Sequence, residues 1–276
     1  MVKKSFLQNF FKGADIIKAI IIAAGRGLRL KPLTDDRPKC MLKLGGGTIL
    51  EHQLKALRNA GIDRIALIKG YKKEIIDYPG LRYYINDNYQ KNNILHSLFY
   101  AEKEMDDEFI AVYSDILYTE DIVKRLLDDK GDISIVVDID WKGYYNGRIG
   151  HTIEEAENVI FDSKNRVLKI GKILLEKDAV GGEFIGMMKC SKNGAFVFKS
   201  HFNRLKKNYS GKPFQAAPIF EKAYLTDMIQ DLADAGVSVH CVIIKRGWIE
   251  IDTLGDYEKL LAGFSRHNSI YGYEVN

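Results

Sequence analysis

The chain has little of what marks several common classes of protein. Its three cysteines, Cys40, Cys190 and Cys241, are far apart and form no Cys-x-x-Cys pair. A zinc knuckle and a disulfide framework are therefore excluded, and the cysteines read as reduced thiols of a cytoplasmic protein. No apolar run approaches the about 20 residues that span a bilayer. A formal charge of +4 with lysine and arginine spread among the acids lacks the concentrated basic face of a nucleic-acid binder, and it favours a small anionic substrate. Two familiar phosphate loops are missing as well. Gly-x-Gly-x-x-Gly fails because Leu30 stands where the third glycine belongs, and no Gly-x-x-x-x-Gly-Lys-Ser/Thr occurs. There are no repeats and no low-complexity tract.

What is present is an alternation of strand-like and helix-like segments over 276 residues, enough to bury a full core without staples. Apolar runs at 16–24, 64–69, 109–113, 133–138 and 237–244 read as strands. Between and after them, 48–60, 94–105, 121–128, 217–235 and 255–264 carry helical spacing. This order predicts an α/β fold, a Rossmann-like doubly wound mixed sheet that is mostly parallel. Residues 1–17 precede the first strand as an N-terminal extension, and 18–276 read as one domain with a small β-rich excursion near 141–215. The extension starts with basic residues, but Gln8, Asn9 and Lys12 interrupt any signal-peptide core. Phe6, Leu7, Phe10 and Phe11 share a helix face that suits packing on the domain, with weak membrane-surface docking or self-association as the alternative.

The first strand runs into a loop with two glycines, Gly25 and Gly27, and the cations Arg26, Arg29 and Lys31; Arg37 and Lys39 follow. Glycine lets main-chain N–H groups close around an anion, and cations neutralise it, so this loop is built for a polyphosphate. Asp115 ends the run Phe-Ile-Ala-Val-Tyr-Ser-Asp, which directs a carboxylate into the crevice of an open α/β sheet; a turn or helix cap is the plainer role. In Trp248-Ile249-Glu250-Ile251-Asp252 the alternation places Glu250 and Asp252 on one strand face, suited to a cation or to a solvated edge.

Taken whole, Ala24-Gly25-x-Gly27, Arg29-Leu30, Pro32-Leu33-Thr34 and Pro38-Lys39-x-Met41 resemble the signature of the nucleotidyltransferases that activate sugar 1-phosphates and phospho-alcohols. Leu28 departs from it, since the family more often has Ser or Thr there. Gly70-Tyr71, the run 92–98, the run 113–117 and the run 182–186 look closest to the choline-phosphate cytidylyltransferase branch with its phosphonate-using relatives. The resemblance implies Mg²⁺ held by Asp115 and Asp252, with Glu250 as a third candidate ligand. It makes Arg29 and Lys39 the catalytic cations, Arg29 on the leaving pyrophosphate and Lys39 steering the attacking phosphate. Gly25 and Gly27 would cradle the triphosphate, with the base near Ala23 and Ala24. Gly70, Asn92, Asn93 and Ser114 are assigned to the nucleotide too, although Asn92 and Asn93 equally suit a helix cap.

For the acceptor, Asp140-Trp141 followed by Tyr144 and Tyr145 offers an aromatic beside carboxylates, which holds an ammonium. Phosphocholine, phosphoethanolamine and 2-aminoethylphosphonate carry one. Trp141 serves equally as strand-end packing. Arg148 and His151 suit a carboxylate instead, as in a phosphorylated amino acid or a hydroxyphosphonate. By analogy with the wider family, Lys172 and Glu183 also reach the acceptor, and Lys39 touches its phosphate. The expected partners are CTP and this small acceptor, with no nucleic acid and no stable membrane insertion, in a monomer or homodimer. A sugar-1-phosphate enzyme using UTP, dTTP or GTP is the rival. A non-catalytic nucleotide-binding regulator fits less well, because Arg29, Lys39, Asp115 and Asp252 are all kept.

Overall fold

The computed structural model describes residues 17–148, 150–172, 179–267, 269–270 and 273–274, from 264 onward in backbone only. The expectations for 1–16 lie outside the described residues. At the centre is β1 (Lys18–Ala23), buried from Ala19 onward. A strand apolar at successive positions needs cover on both faces, the situation of a central parallel strand. The basic loop leads into a hairpin of β2 (Lys43–Leu44) and β3 (Gly47–Thr48), then α1 (Ile49–Asn59). The Thr48 hydroxyl accepts from the Glu51 amide while the Glu51 carboxylate accepts from the Thr48 amide, which satisfies two backbone donors reciprocally.

β4 (Arg64–Lys69) pairs with β1 in parallel, β5 (Arg82–Ile85) pairs with β4, and β6 (Phe109–Tyr113) lies in parallel on the other side of β1. The order β5–β4–β1–β6 reverses at β1, so a crevice opens beyond the carboxyl ends of β1 and β6. The helical spacing at 94–105 resolves into α2 (Ile94–Leu98) and a tighter 3-10 run over Phe99–Glu104. The 3-10 run is kinked at Ala101, where the backbone leaves the helical region, and Leu98 and Ala101 are both buried.

Next come β7 (Ile116–Tyr118), α3 (Glu120–Asp128), β8 (Ile133–Asp138) and an antiparallel hairpin, β9 (Asn158–Phe161) with β10 (Val167–Gly171). The excursion read over 141–215 is corrected here. β11 (Gly182–Cys190) is buried along its length and lies inside the main sheet, antiparallel to β6 and β8. α4 (Lys192–Tyr209) covers the same sheet with Ala195, Phe198, Phe202 and Leu205. Its apolar positions keep helical spacing, but intervening lysines and asparagines mask them in the sequence. The chain closes with α5 (Leu225–Asp234), β12 (Val239–Ile244) parallel to β8, β13 (Trp248–Glu250) antiparallel to β7, α6 (Leu254–His267) and a hairpin of β14 (Ser269–Ile270) and β15 (Tyr273–Glu274).

Alternate residues of β1 feed two cores. Ile20 and Ile22 pack with α2, α4 and α5 on one face, and Ala19 and Ile21 pack with α1 and α3 on the other. Helices on both faces make the mixed sheet doubly wound, as the alternation predicts. Among the described residues no helix is long and apolar enough to cross a membrane.

Candidate active site

The basic loop is held in shape by Gly27. Its φ is +61°, and its carbonyl accepts from the Leu30 amide at 3.0 Å and the Thr34 hydroxyl at 2.9 Å. A Cβ there would meet the Lys39 Cβ at 3.0 Å, so the position favours glycine twice over. Leu30 is buried beneath the loop, which turns Arg29 toward the crevice.

The short ribbon of β7 and β13 supplies the carboxylates. Ile249 and Ile251 are buried in a small core with Leu30 and Leu117, which sends Glu250 and Asp252 to the opposite side. The Ile251 amide donates to the Asp115 carbonyl at 2.9 Å, so the end of β6 and the end of β13 are tied together. Between them sits Lys39, its Nζ 3.0 Å from Asp115 and 2.9 Å from Asp252. Burial alone would lower the Lys39 value, but Asp115 and Asp252 overcome it and hold the ammonium well above its ordinary range. Burial likewise works against the Asp252 carboxylate, and Lys39, the His151 hydrogen bond and Arg29 overturn it, so Asp252 stays ionised. Arg29 pairs with Asp252 and, at 2.5 Å, with Glu155. His151 Nδ1 lies 2.7 Å from Asp252. Glu250, beside Arg148 at 3.2 Å, is pushed upward by burial and by the charges of Asp252 and Asp115.

This arrangement fits a hard divalent cation. Asp115 and Asp252 both stand about 3 Å from the one point where the Lys39 ammonium rests, and Asp115 Oδ1 is buried without a hydrogen-bond partner. His151, Glu250 and Asp252 also bring ligand atoms within 4.8 Å of one another.

Two clefts meet at this cluster. One, of 410 Å³, runs under the basic loop past Ala23, Gly25, Arg26, Gly27 and Lys39. The other, of 240 Å³, runs over Tyr113, Glu157, Lys172, Glu183 and Tyr224. Arg29, Ser114, Asp115 and Asp252 line both. Asn93 lines the second cleft while its side-chain oxygen caps α2 at the Ile94 amide, 2.9 Å away.

Other expected site residues are placed elsewhere. Ala24 is buried under Gly70, where a Cβ would stand 2.8 Å from the Ala24 carbonyl, so Gly70 allows two segments to touch. Asn92 bonds to Asn86 at 3.0 Å and 3.1 Å. The ammonium cage drawn from Asp140 and Trp141 is corrected: neither lines a cleft at the cluster. Trp141 is buried edge-on against Tyr145, with their centres 5.9 Å apart, and Asp140 faces Arg246 at 3.2 Å. Tyr144 donates to the Glu250 carbonyl at 2.6 Å, and Arg148 bridges Glu250 and Asp256, so both brace β13 from behind. Lys172 and Glu183 do line the second cleft. Glu155 and Glu157 escaped the sequence reading, because nothing local distinguishes them from other acids; Glu157 meets the Tyr113 hydroxyl across 44 residues of chain.

A doubly wound sheet whose reversal point gathers a glycine loop, two cations and two carboxylates is the framework of enzymes that move nucleotidyl groups, and the chain is a nucleotidyltransferase that releases pyrophosphate. It belongs to the family described as the MobA-like NTP transferase domain, whose model matches residues 19–245. Members of this family generally depend on a divalent metal. The chain is 31% identical over 255 residues to a CTP:phosphoglutamine cytidylyltransferase of Campylobacter jejuni, covering 88% of this chain and 98% of the relative. A choline-phosphate cytidylyltransferase of Streptococcus pneumoniae is 35% identical over 106 residues, covering 37% of this chain and 46% of the relative. Among solved structures, the CTP:phosphocholine cytidylyltransferase of Streptococcus pneumoniae superposes with a TM-score of 0.67 at 24% identity, over 90% of this chain and 99% of that one. The inositol-1-phosphate CTP transferase of T. maritima gives 0.69 at 21%, over 94% and 100%. These two likenesses establish the shared fold.

Proposed function

We propose that the chain transfers the cytidylyl group of CTP to a small phosphate- or phosphonate-bearing acceptor with an ammonium group, using Mg²⁺ and releasing pyrophosphate. The observation that carries this reading is the meeting of two clefts at Arg29, Asp115 and Asp252 beside Lys39. In it, the triphosphate lies under the Gly25–Gly27 loop, where Arg26 and Arg29 offset its charge, and the acceptor enters the cleft over Glu157 and Glu183. An acceptor phosphate oxygen forms a bond to the α-phosphorus as the bond to the α–β bridging oxygen breaks, and the electron pair leaves with pyrophosphate. That oxygen is already anionic near neutral pH, so no general base is needed, and alignment with charge neutralisation supplies the acceleration. Lys39 stands where attacking and α-phosphates would crowd together. Asp115 and Asp252 would hold the Mg²⁺, with Glu250 beside them, and the chemistry a bound Mg²⁺ supplies is neutralisation of phosphate oxygens. Choice of CTP is supported by the Campylobacter jejuni relative that aligns almost end to end. The same relative favours a phosphorylated amino acid as the second reading for the acceptor. The three free cysteines, all buried, suit a cytoplasmic enzyme, acting as monomer or homodimer.

The test is pyrophosphate release with Mg²⁺ from CTP, UTP, dTTP, ATP and GTP against phosphocholine, phosphoethanolamine, 2-aminoethylphosphonate, O-phosphoserine and glucose 1-phosphate. Turnover with CTP and a non-sugar acceptor is the expected result. Turnover only with glucose 1-phosphate overturns it.

A further inference from the structure

Six carboxylates line the 240 Å³ cleft, and four are matched by cations: Asp115 and Asp252 by Lys39, Glu155 by Arg29, and Glu250 by Arg148. Glu157 and Glu183 have no ion-pair partner among the described residues. Glu183 is only 4% exposed; one oxygen accepts from the Tyr145 hydroxyl, and the other is buried with no hydrogen-bond partner. Glu157 has a single long hydrogen bond, from the Tyr113 hydroxyl at 3.4 Å. Burial pushes Glu157 up to about 8 and Glu183 well above the ordinary carboxylate range, outweighing the opposing charges of Lys172 on Glu157 and of Arg148 on Glu183. An unsatisfied carboxylate oxygen facing a cleft is a costly group to keep, and such groups concentrate at functional sites. Aromatic faces surround the pair: Tyr113, Phe184 and Tyr224 line the same cleft. The Tyr224 face already accepts a cation, since the Lys172 ammonium rests 4.6 Å from its centre.

We infer that Glu157 and Glu183 are specificity-determining residues that bind a primary ammonium on the acceptor. The inference rests on the reading of this cleft as the acceptor site, and it narrows the acceptor class. Tyrosine faces alone would serve a trimethylammonium as well as a primary one. The carboxylate oxygens decide between them, because they need N–H donors as well as positive charge. A –NH₃⁺ group brings three donors. A trimethylammonium brings none and leaves Glu183 unpaired behind a wall of methyl groups, and a neutral alcohol phosphate brings no compensating charge.

The experiment measures pyrophosphate release from CTP by the full chain with phosphoethanolamine, its N-methyl, N,N-dimethyl and N,N,N-trimethyl derivatives (the last being phosphocholine), 2-aminoethylphosphonate, O-phosphoserine and glycerol 3-phosphate. The best primary amine should exceed phosphocholine in kcat/KM by about 100-fold or more, the discrimination expected when a site built for N–H donors meets an analogue without them. Glu157→Gln and Glu183→Gln should each raise the KM of that amine at least about tenfold, while the KM for CTP stays within about twofold. Phosphocholine used as well as the primary amines, a preference for glycerol 3-phosphate, or an unchanged amine KM in both variants overturns the inference and leaves cytidylyl transfer standing. CTP bound and no primary amine used also overturns it. Absence of CTP binding removes the underlying reading instead.

Discussion

Replacing Lys39 with methionine separates its two roles in one variant. The Lys39 ammonium is the counter-ion shared by Asp115 and Asp252, at 3.0 Å and 2.9 Å, and its side chain is 12% exposed. Removing one partner of a buried pair typically costs about 3–5 kcal/mol. Asp252 keeps Arg29 and His151, and the Asp115 side chain is 25% exposed, so the expected loss is nearer about 2 kcal/mol. For a domain of this size that lowers Tm by roughly 5 °C. Turnover should fall further, by about 10³-fold or about 4 kcal/mol of transition-state stabilisation, if the cation acts, as proposed, where two phosphates are brought together. Metal response gives the third readout. Without the ammonium, Asp115 and Asp252 are open to a divalent cation, so Mg²⁺ should raise the Tm of Lys39→Met more than that of the parent. Differential scanning fluorimetry with and without Mg²⁺, beside a pyrophosphate-release assay, measures all three. A folded variant with turnover within tenfold of the parent refutes the catalytic role. An equal Mg²⁺ response in the two proteins refutes the placement of the metal between these carboxylates.

Three further outcomes follow from the geometry. Asp252→Asn should raise the Mg²⁺ concentration for half-maximal activity by about tenfold, and an unchanged titration would take Asp252 out of the metal site. Trp141→Ala should destabilise the protein by about 3 kcal/mol, because the indole packs on Tyr145 and Ala156, yet leave the acceptor KM within about threefold; a large KM rise would restore the ammonium cage at this residue. Burial pushes the Glu157 carboxyl up to about 8, against an ordinary value of 4.5. Its proton therefore contributes stability that is present below about 4.5 and is lost as pH rises through about 8, and Glu157→Gln should flatten that decline in a denaturant series. The KM of a primary-amine acceptor should fall as pH rises from 7 to 9 in the parent and fall less in Glu157→Gln, where Glu183 is the one raised acid left at the ammonium.

Much of the protein was legible from local pattern. β1 announced itself as a central strand because five of its six residues, Ala19–Ala23, are apolar in succession and left no polar face, and the glycines and cations after it are the local pattern on which the proposed phosphate loop rests. The alternation in Trp248-Ile249-Glu250-Ile251-Asp252 correctly separated buried isoleucines from cleft-facing acids, since strand geometry sends neighbours to opposite sides. What the pattern did not contain was which segments become neighbours. Nothing within Gly182–Cys190 says that it inserts between β6 and β8, and nothing beside Trp141 says that Tyr145 and Ala156 bury it away from the clefts. The charged cluster is the clearest case, because Lys39 and Asp252 are separated by 213 positions and meet only through the crossovers of the sheet. Residue type and short-range spacing determined the chemistry available to this chain. Ion pairs and hydrogen bonds form only between groups a few ångströms apart, so only the tertiary structure decided which acids of the second cleft found cations and which two, Glu157 and Glu183, have no ion pair among the described residues.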